Sequence, residues 1–107
     1  MNVEHWQEQL RTFAEDRDWT QFHTPKNLAM ALSVEASELL EIFQWLTPEE
    51  SQQVMSGQRA DDVTDEIADV MIYILRLVDI LGVDIETAVK EKIARNGERF
   101  APAGDTT

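Results

Sequence analysis

The chain has 107 residues, of which 21 are acidic and 9 are basic, and its formal net charge is −12. One domain of this length buries only a modest core, and the negative charge excludes nucleic-acid polymers and anionic membranes as partners, because phosphate binding needs a basic surface. Cysteine is absent and the amino terminus, MNVEHWQEQL, lacks the order of a secretory signal, so we expect a cytoplasmic protein without disulfides.

The first two helices are predicted from apolar spacing and from a start signal. Apolar residues at helical spacing predict an amphipathic helix that ends near Arg17, followed by a loop over residues 18–23. Thr24 and Pro25 are typical of a helix N-cap and first turn, so a long helix is predicted from there to about Leu46. The apolar positions of the first helix are Val3, Trp6, Leu10, Phe13 and Ala14.

The middle of the chain repeats the same start signal. Thr47 precedes Pro48, and Glu50 stands where a capping box places a glutamate. These residues predict a short helix, which Gly57 closes. The segment is polar, so it is the part of the molecule in which we expect most mobility.

Two further helices are predicted in the second half. The third long helix begins between residues 60 and 62 and continues to Leu81, where Gly82 provides a left-handed stop. Asp84 then caps a last helix that runs to about Phe100. No internal repeat or low-complexity tract interrupts this pattern.

No window alternates as a β-strand does, so we predict an all-α fold, a four- to five-helix bundle. The third helix is apolar nearly all round, although Arg76 and Asp79 interrupt it and argue against a membrane span. A second copy is expected to cover part of it, which makes the protein a homodimer or a homotetramer. Residues 1–100 are assigned to one domain and residues 101–107 to a disordered tail.

Two pairs of acids stand out because they interrupt apolar helix faces. Glu35 and Glu38 lie three residues apart on the second helix, and Glu66 and Asp69 do so on the third. Residues at this spacing share a helix face, and buried carboxylates need a neutralising partner. Carboxylates that converge from two helices suit Mg²⁺ or Mn²⁺.

Other interpretations of these acids stay open. In so acidic a chain the pairs can be solvated surface residues, and three further acids compete with them. A carboxylate-bridged di-iron centre is disfavoured, because it needs Glu-x-x-His on two helices and neither histidine follows a glutamate at that spacing. The competing acids are Glu41, Asp62 and Asp65.

The acid pattern and its surroundings resemble a known family. Glu35-x-x-Glu38 followed by Glu66-x-x-Asp69 resembles the signature of the MazG-like all-α nucleoside triphosphate pyrophosphohydrolases. The segments RDWTQFHTPKNLAMALSVEASELLEIFQW and DEIADVMIYILRLVDILGVDIETAVKEKIARNGERF are most similar to the short, single-domain dCTP pyrophosphatase branch. The resemblance covers roughly residues 13–100.

The resemblance implies an enzyme that hydrolyses a (deoxy)nucleoside triphosphate, dCTP first, to the monophosphate and pyrophosphate. Its cofactor is expected to be Mg²⁺, with Mn²⁺ as a substitute, and its role to be nucleotide-pool housecleaning. The implied metal ligands are Glu35, Glu38, Glu66 and Asp69. Glu38 is also the candidate to accept the proton of the attacking water.

The resemblance also implies a set of substrate-binding residues. Aromatic side chains stack on bases, and basic or amide side chains on the last helix bind phosphate. Cytosine-selective relatives carry a histidine on the first helix, but the matching position here is Leu10, with His5 more than a turn away, so the base preference extends to other deoxynucleotides such as dATP or modified cytosines. The predicted substrate residues are Trp19, Phe22, Trp45, Tyr73, Lys92 and Asn96. The aromatic ones have a core or interface role as their alternative.

Two other functions remain as alternatives. The chain can be a non-enzymatic acidic helical module for interaction or regulation, which predicts no stabilisation by Mg²⁺ and nucleotide. The same fold can also hydrolyse a related diphosphate or dUTP. Substrate panels separate that possibility from hydrolysis of dCTP.

Overall fold

The computed structural model describes residues 1–104, and within that range it contains α-helices, two short 3₁₀ turns and no β-strand. The predicted all-α fold is therefore confirmed. Among the described residues, no helix combines the length and hydropathy needed to cross a bilayer. The helices are α1 (Val3–Asp16), α2 (Pro25–Phe43), α3 (Pro48–Gln52), α4 (Ala60–Leu81) and α5 (Ile85–Arg99).

Three helices begin where the sequence signals predicted. The hydroxyl of Thr24 accepts a hydrogen bond from the backbone N–H of Asn27 at 3.2 Å. Thr47 and Glu50 form the complete capping box, because each side chain accepts from the other residue's backbone N–H, at 3.1 and 2.9 Å. The carboxylate of Asp84 caps α5 in the same way. These contacts satisfy backbone donors that a helix start otherwise leaves unpaired.

The end of α4 matches the prediction, but two other helix ends differ. The helix α3 ends at Gln52, and Gly57 instead follows the 3₁₀ turn Val54–Ser56. Gly82 ends α4 with φ of 69°, and the N–H of Val83 donates to the carbonyl of Val78 at 2.9 Å, as in a left-handed cap. The helix α2 stops at Phe43 rather than at the predicted Leu46. The reason is that Thr47 must be extended as the N-cap before Pro48, so the chain has to leave helical geometry beforehand.

The core lies where α4 packs against α2 on one side and against α1 on another. The predicted apolar faces are buried only in part: Ala14 is buried on α1, whereas Trp6 and Phe13 on the same face are 48% and 46% exposed. By contrast, α5 contributes no buried residue. The metal-site candidates therefore lie in the best-packed part of the chain, between α2 and α4. The buried apolar residues are Ala14, Leu28, Ile42, Val63, Leu75 and Val78.

The predicted tail falls at the limit of the described residues. The chain leaves α5 at Phe100, and residues 101–104 are exposed and outside any helix. Residues 105–107 lie outside the described range. The assignment of residues 1–100 to one domain stays a prediction.

Candidate metal centre

Three of the four predicted acids converge between α2 and α4. One carboxylate oxygen from each of Glu35, Glu38 and Glu66 lies within 4.8 Å of the others. Glu38 is exposed, whereas Glu35 and Glu66 are half-buried. Asp69 is outside this closest group, but it lies one turn from Glu66 on α4 and is half-buried as well. We call these four residues the acid cluster.

The acid cluster is under electrostatic strain. Oε2 of Glu35 and Oε2 of Glu66 are both buried and have no hydrogen-bond partner. Burial, followed by hydrogen bonds that the protonated acid can share with Glu66 and Glu38, raises the pKa of Glu35 to about 7. A hydrogen bond with Glu35 lowers the pKa of Glu66, but burial and the negative charges nearby outweigh it and raise the pKa overall.

No basic side chain in residues 1–104 neutralises the acid cluster. The ion pairs in that range join Arg11 and Arg76 to Asp79 and Arg59 to Asp62. Unpaired buried carboxylates are costly, and clustered hard oxygen ligands are what Mg²⁺ and Mn²⁺ prefer. The unpartnered Oε2 atoms and the spacing of the carboxylates therefore fit a divalent cation.

The competing acids do not join this cluster. Asp62 pairs with Arg59 at 2.7 Å, with both side chains exposed. Glu41 and Asp65 are exposed on α2 and α4. Among the candidates that the sequence offered, the structure thus separates the acid cluster from ordinary solvated acids.

An aromatic cavity opens between α1, the loop after it and α4. It has a volume of about 320 Å³ and brings together Trp19 and Tyr73 from the predicted substrate residues. Leu10 lines it as well. This is the position at which the resemblance to cytosine-selective enzymes implied a histidine. Trp19 packs edge-on against Phe13, with ring centroids 5.6 Å apart. We call this space the aromatic cavity.

The other predicted substrate residues lie apart from that cavity. Trp45 follows the end of α2 and is 86% exposed, and Phe22 is also exposed. Lys92 and Asn96 are on α5, which does not pack along α2 or α4 within this chain. None of these four residues lines the aromatic cavity.

Two residues that line the aromatic cavity were not predicted as site residues. Arg76 is buried, and its Nε donates to Nδ1 of His23 at 3.1 Å. Burial and then the charge of Arg76 lower the pKa of His23, so the imidazole is neutral at pH 7. His23 therefore acts as a hydrogen-bonding residue of the loop that follows α1. Spacing along α4 places Arg76 on the same side as Asp69 and Tyr73, but it does not indicate the contact with His23.

Comparisons with known proteins agree with this geometry. A model of the MazG-like family matches residues 30–105, which include the acid cluster. The dCTP pyrophosphatase 1 of Homo sapiens is 42% identical over 89 residues, which are 82% of this chain and 52% of the relative. The Bos taurus dCTP pyrophosphatase 1 is 40% identical over 89 residues, 82% of this chain and 53% of that protein. The chain spans about half the length of these curated relatives.

A solved structure extends the likeness over nearly the whole chain. The crystal structure of a pyrophosphatase from Archaeoglobus fulgidus is 41% identical and superimposes with a TM-score of 0.88. The match covers 95% of this chain and 94% of the other. The sequence pattern, the family model and this close structural match lead to one conclusion: the chain belongs to the MazG-like family.

Proposed function

We propose that this protein hydrolyses (deoxy)nucleoside triphosphates, dCTP first, to the monophosphate and pyrophosphate, with Mg²⁺ as cofactor and Mn²⁺ as a substitute. The observation that carries the proposal is the convergence of unneutralised carboxylates between α2 and α4. The name of the Homo sapiens and Bos taurus relatives, dCTP pyrophosphatase 1, supports the choice of substrate. Removal of surplus or noncanonical nucleotides in the cytoplasm is the corresponding role.

The acid cluster is the proposed ligand set. Glu35, Glu38, Glu66 and Asp69 would hold the cation, which when bound neutralises phosphate oxygens and makes water a better nucleophile. Hydrolysis adds water to phosphorus and breaks the bond between the α- and β-phosphates, so pyrophosphate leaves. A bound cation would also compensate the burial and the nearby negative charges that raise the pKa of Glu35 and Glu66.

Glu38 is the proposed proton acceptor. It is the exposed member of the three closest acids, so water and substrate reach it more easily than they reach Glu35 or Glu66. An oxygen that is not occupied by the cation is free to take the proton of the attacking water. Turnover is therefore expected to depend on Glu38 more than on any acid outside the cluster.

The aromatic cavity is the proposed site of the base. Trp19 and Tyr73 offer faces for stacking, which contributes roughly 1–3 kcal/mol per base. Phe22 and Trp45 are proposed to cover the nucleotide, and Lys92 and Asn96 to bind its phosphates. The last four residues are exposed or on α5, so their roles require the arrangement of an oligomer or a substrate-bound chain.

The proposal is tested by measuring pyrophosphate release from ribo- and deoxynucleoside triphosphates with Mg²⁺, with Mn²⁺ and with EDTA. Glu38→Gln is expected to lower turnover by at least about 100-fold, whereas the matched control Glu41→Gln, an exposed acid on the same helix, should keep it. Circular dichroism checks that both variants are folded. Full activity in EDTA or in Glu38→Gln would contradict the proposal. dUTP and nucleoside diphosphates belong in the panel as the alternative substrates.

A helical interaction module remains the second candidate, because α5 exposes several apolar side chains. It predicts that Mg²⁺ and nucleotide leave the melting temperature unchanged. A folded protein that is silent across the substrate panel and is not stabilised by either ligand would favour this module over the enzyme.

A further inference from the structure

Arg76 is an unusual residue for its position. It lies on the well-packed helix α4 and is only 6% exposed. Its Nε donates a hydrogen bond to His23, and its Nη1 lies 3.5 Å from Oδ2 of Asp79. The same Oδ2 forms an ion pair with Nε of Arg11 at 2.9 Å. These contacts compensate a buried cation and fix the guanidinium in one orientation.

The fixed guanidinium faces the space that the proposed function gives to the base. Arg76 lines the aromatic cavity together with Trp19 and Tyr73. Of the residues that line the cavity, Arg76 is the one with a permanent charge. Neither of its contacts with His23 and Asp79 uses Nη2. Nη2 is therefore the guanidinium nitrogen that these contacts leave available to a ligand in the cavity.

The register of α4 connects this cavity with the acid cluster. Glu66, Asp69, Tyr73 and Arg76 follow one another by three, four and three residues, so they form one stripe on the helix. At 1.5 Å of rise per residue, Asp69 and Arg76 are separated by about 10 Å along the axis. A nucleotide lying along this stripe has its phosphates at the acids, its sugar and base near Tyr73 and the polar edge of the base at Arg76.

The first helix offers no competing polar contact at the cavity. Leu10, Phe13 and Ala14 line this side, and none of them has a side-chain donor or acceptor. His23 accepts at Nδ1, so its neutral ring carries the hydrogen on Nε2. The side-chain donors that line the cavity belong to Trp19, His23, Tyr73 and Arg76. Among them, His23 and Arg76 are fixed by a hydrogen bond to each other.

We propose that Arg76, positioned by His23 and Asp79, determines base specificity by donating to two adjacent acceptor atoms on the base edge, from Nη2 and from the N–H of Nη1 that does not face Asp79. O2 and N3 of cytosine form such a pair, and so do O6 and N7 of guanine, whereas adenine and thymine alternate donors with acceptors. The inference rests on the proposed function, because it places a nucleotide base in the aromatic cavity.

The first test changes the protein. Arg76→Gln and Arg76→Lys are compared with wild type on dCTP, dGTP, dATP and dTTP. We expect kcat/KM for the preferred base to fall by about 10- to 100-fold through KM, while the poor substrates change little. Arg11→Gln is the matched control, because it removes another ion pair to Asp79 without touching the cavity. An equal loss on all four substrates, or a base ranking that Arg76 variants leave unchanged, would overturn the inference.

The second test leaves the protein unaltered and does not depend on turnover or on folding of a variant. Binding of deoxynucleoside monophosphates to wild type in EDTA is measured by calorimetry, with 3-deaza-dCMP lacking N3 and 7-deaza-dGMP lacking N7. The analogue of the preferred base should bind about 10-fold more weakly than its parent. Equal binding would refute the role of Arg76 even if triphosphates are hydrolysed. Base discrimination without any hydrolysis would instead refute the proposed function and leave this inference standing.

Discussion

Glu35 and Glu66 occupy positions at which a packed helix pair normally has aliphatic side chains. Each has a buried oxygen without a hydrogen-bond partner, and the pKa of each is raised. A carboxylate in such a place weakens the folded state of the free protein, and a cation bound by the same atoms removes the penalty. The proposed metal binding therefore has a cost in the stability of the metal-free protein, and these residues carry that cost.

Replacing Glu35 with glutamine should change stability in opposite directions with and without metal. In EDTA at pH 8, Glu35→Gln removes a negative charge from the crowded acid cluster, so we expect Tm to rise by about 2–5 °C. With Mg²⁺ in excess, wild type should gain stability by ligand binding, and the variant should lose most of that gain. Thermal denaturation followed by circular dichroism measures both values.

Glu41→Gln serves as the control for this substitution, because Glu41 is exposed on the same helix. It should leave Tm and its response to Mg²⁺ unchanged. A Glu35→Gln variant that is less stable than wild type in EDTA would show that the acid cluster is not under strain in the free protein.

The raised pKa of Glu35 also predicts how stability depends on pH. The folded protein holds this proton up to a pH of about 7, whereas the ordinary value for glutamate is 4.5. Between these values the folded state binds more protons than the unfolded state, so stability is present at low pH and is lost as pH rises. In EDTA, the contribution of Glu35 should therefore decline from about pH 4.5 to about pH 7.

This dependence is measured by urea denaturation at closely spaced pH values in EDTA. Other acids contribute to the profile, so the informative quantity is the difference between wild type and Glu35→Gln. That difference should change over the stated interval and should be abolished by saturating Mg²⁺. Parallel profiles for the two proteins would mean that Glu35 titrates normally.

At the scale of helices, the end of α4 offers a test of local backbone geometry. Gly82 has φ of 69°, and a Cβ built there meets no atom within 4 Å. Gly82→Ala should therefore destabilise the protein by about 1 kcal/mol through backbone conformation alone. Gly97 lies inside α5 and also has open space, so Gly97→Ala should stabilise by up to about 1 kcal/mol. Urea denaturation of both variants measures the two changes in the free energy of unfolding. Changes of the same sign would contradict the left-handed conformation assigned to Gly82.

Helix boundaries were predictable where a single local interaction sets them. Thr24, Thr47 and Asp84 cap their helices as expected because their side-chain oxygens reach backbone N–H groups a few residues away. The end of α2 was predicted three residues too late. Apolar periodicity continues to Leu46, but the extended conformation of Thr47 before Pro48 overrides it.

The sequence alone predicted which site residues share one helix face, but not which residues from different elements come together. The sequence placed Glu35 and Glu38 on one face by spacing, and the pairing of α2 with α4 then brought Glu66 to them. The role of Arg76 was not predictable, because its neighbours His23 and Asp79 include a residue 53 positions away. Such a contact depends on how α1 and its loop pack on α4, which no local pattern encodes.

At the scale of the whole molecule, the chain is more open than a compact domain of its size. Its radius of gyration is 17.4 Å, whereas a compact chain of this length has about 13 Å. The helix α5 has no buried residue and exposes Val89 and Ile93, and Phe100 just beyond it is exposed as well. Exposed apolar side chains on one helix are typical of a surface that another chain covers.

The predicted homodimer or homotetramer is tested on this helix. Ile93 is 64% exposed and follows Val89 by one turn, so a second copy that covers it would gain roughly 1.5–3 kcal/mol for each such side chain buried. Ile93→Asp should therefore shift the oligomer to monomer in light scattering and lower Tm. Ala94→Asp is the matched control, because it introduces the same charge about a third of a turn away from Ile93 and away from Val89, and it should leave the assembly intact.

Since Lys92 and Asn96 flank the same apolar stripe, a monomeric Ile93→Asp variant that also loses nucleotide turnover would indicate that a second copy supplies the phosphate contacts. A wild-type protein that is monomeric at high concentration would refute the oligomer and leave those two residues without a role.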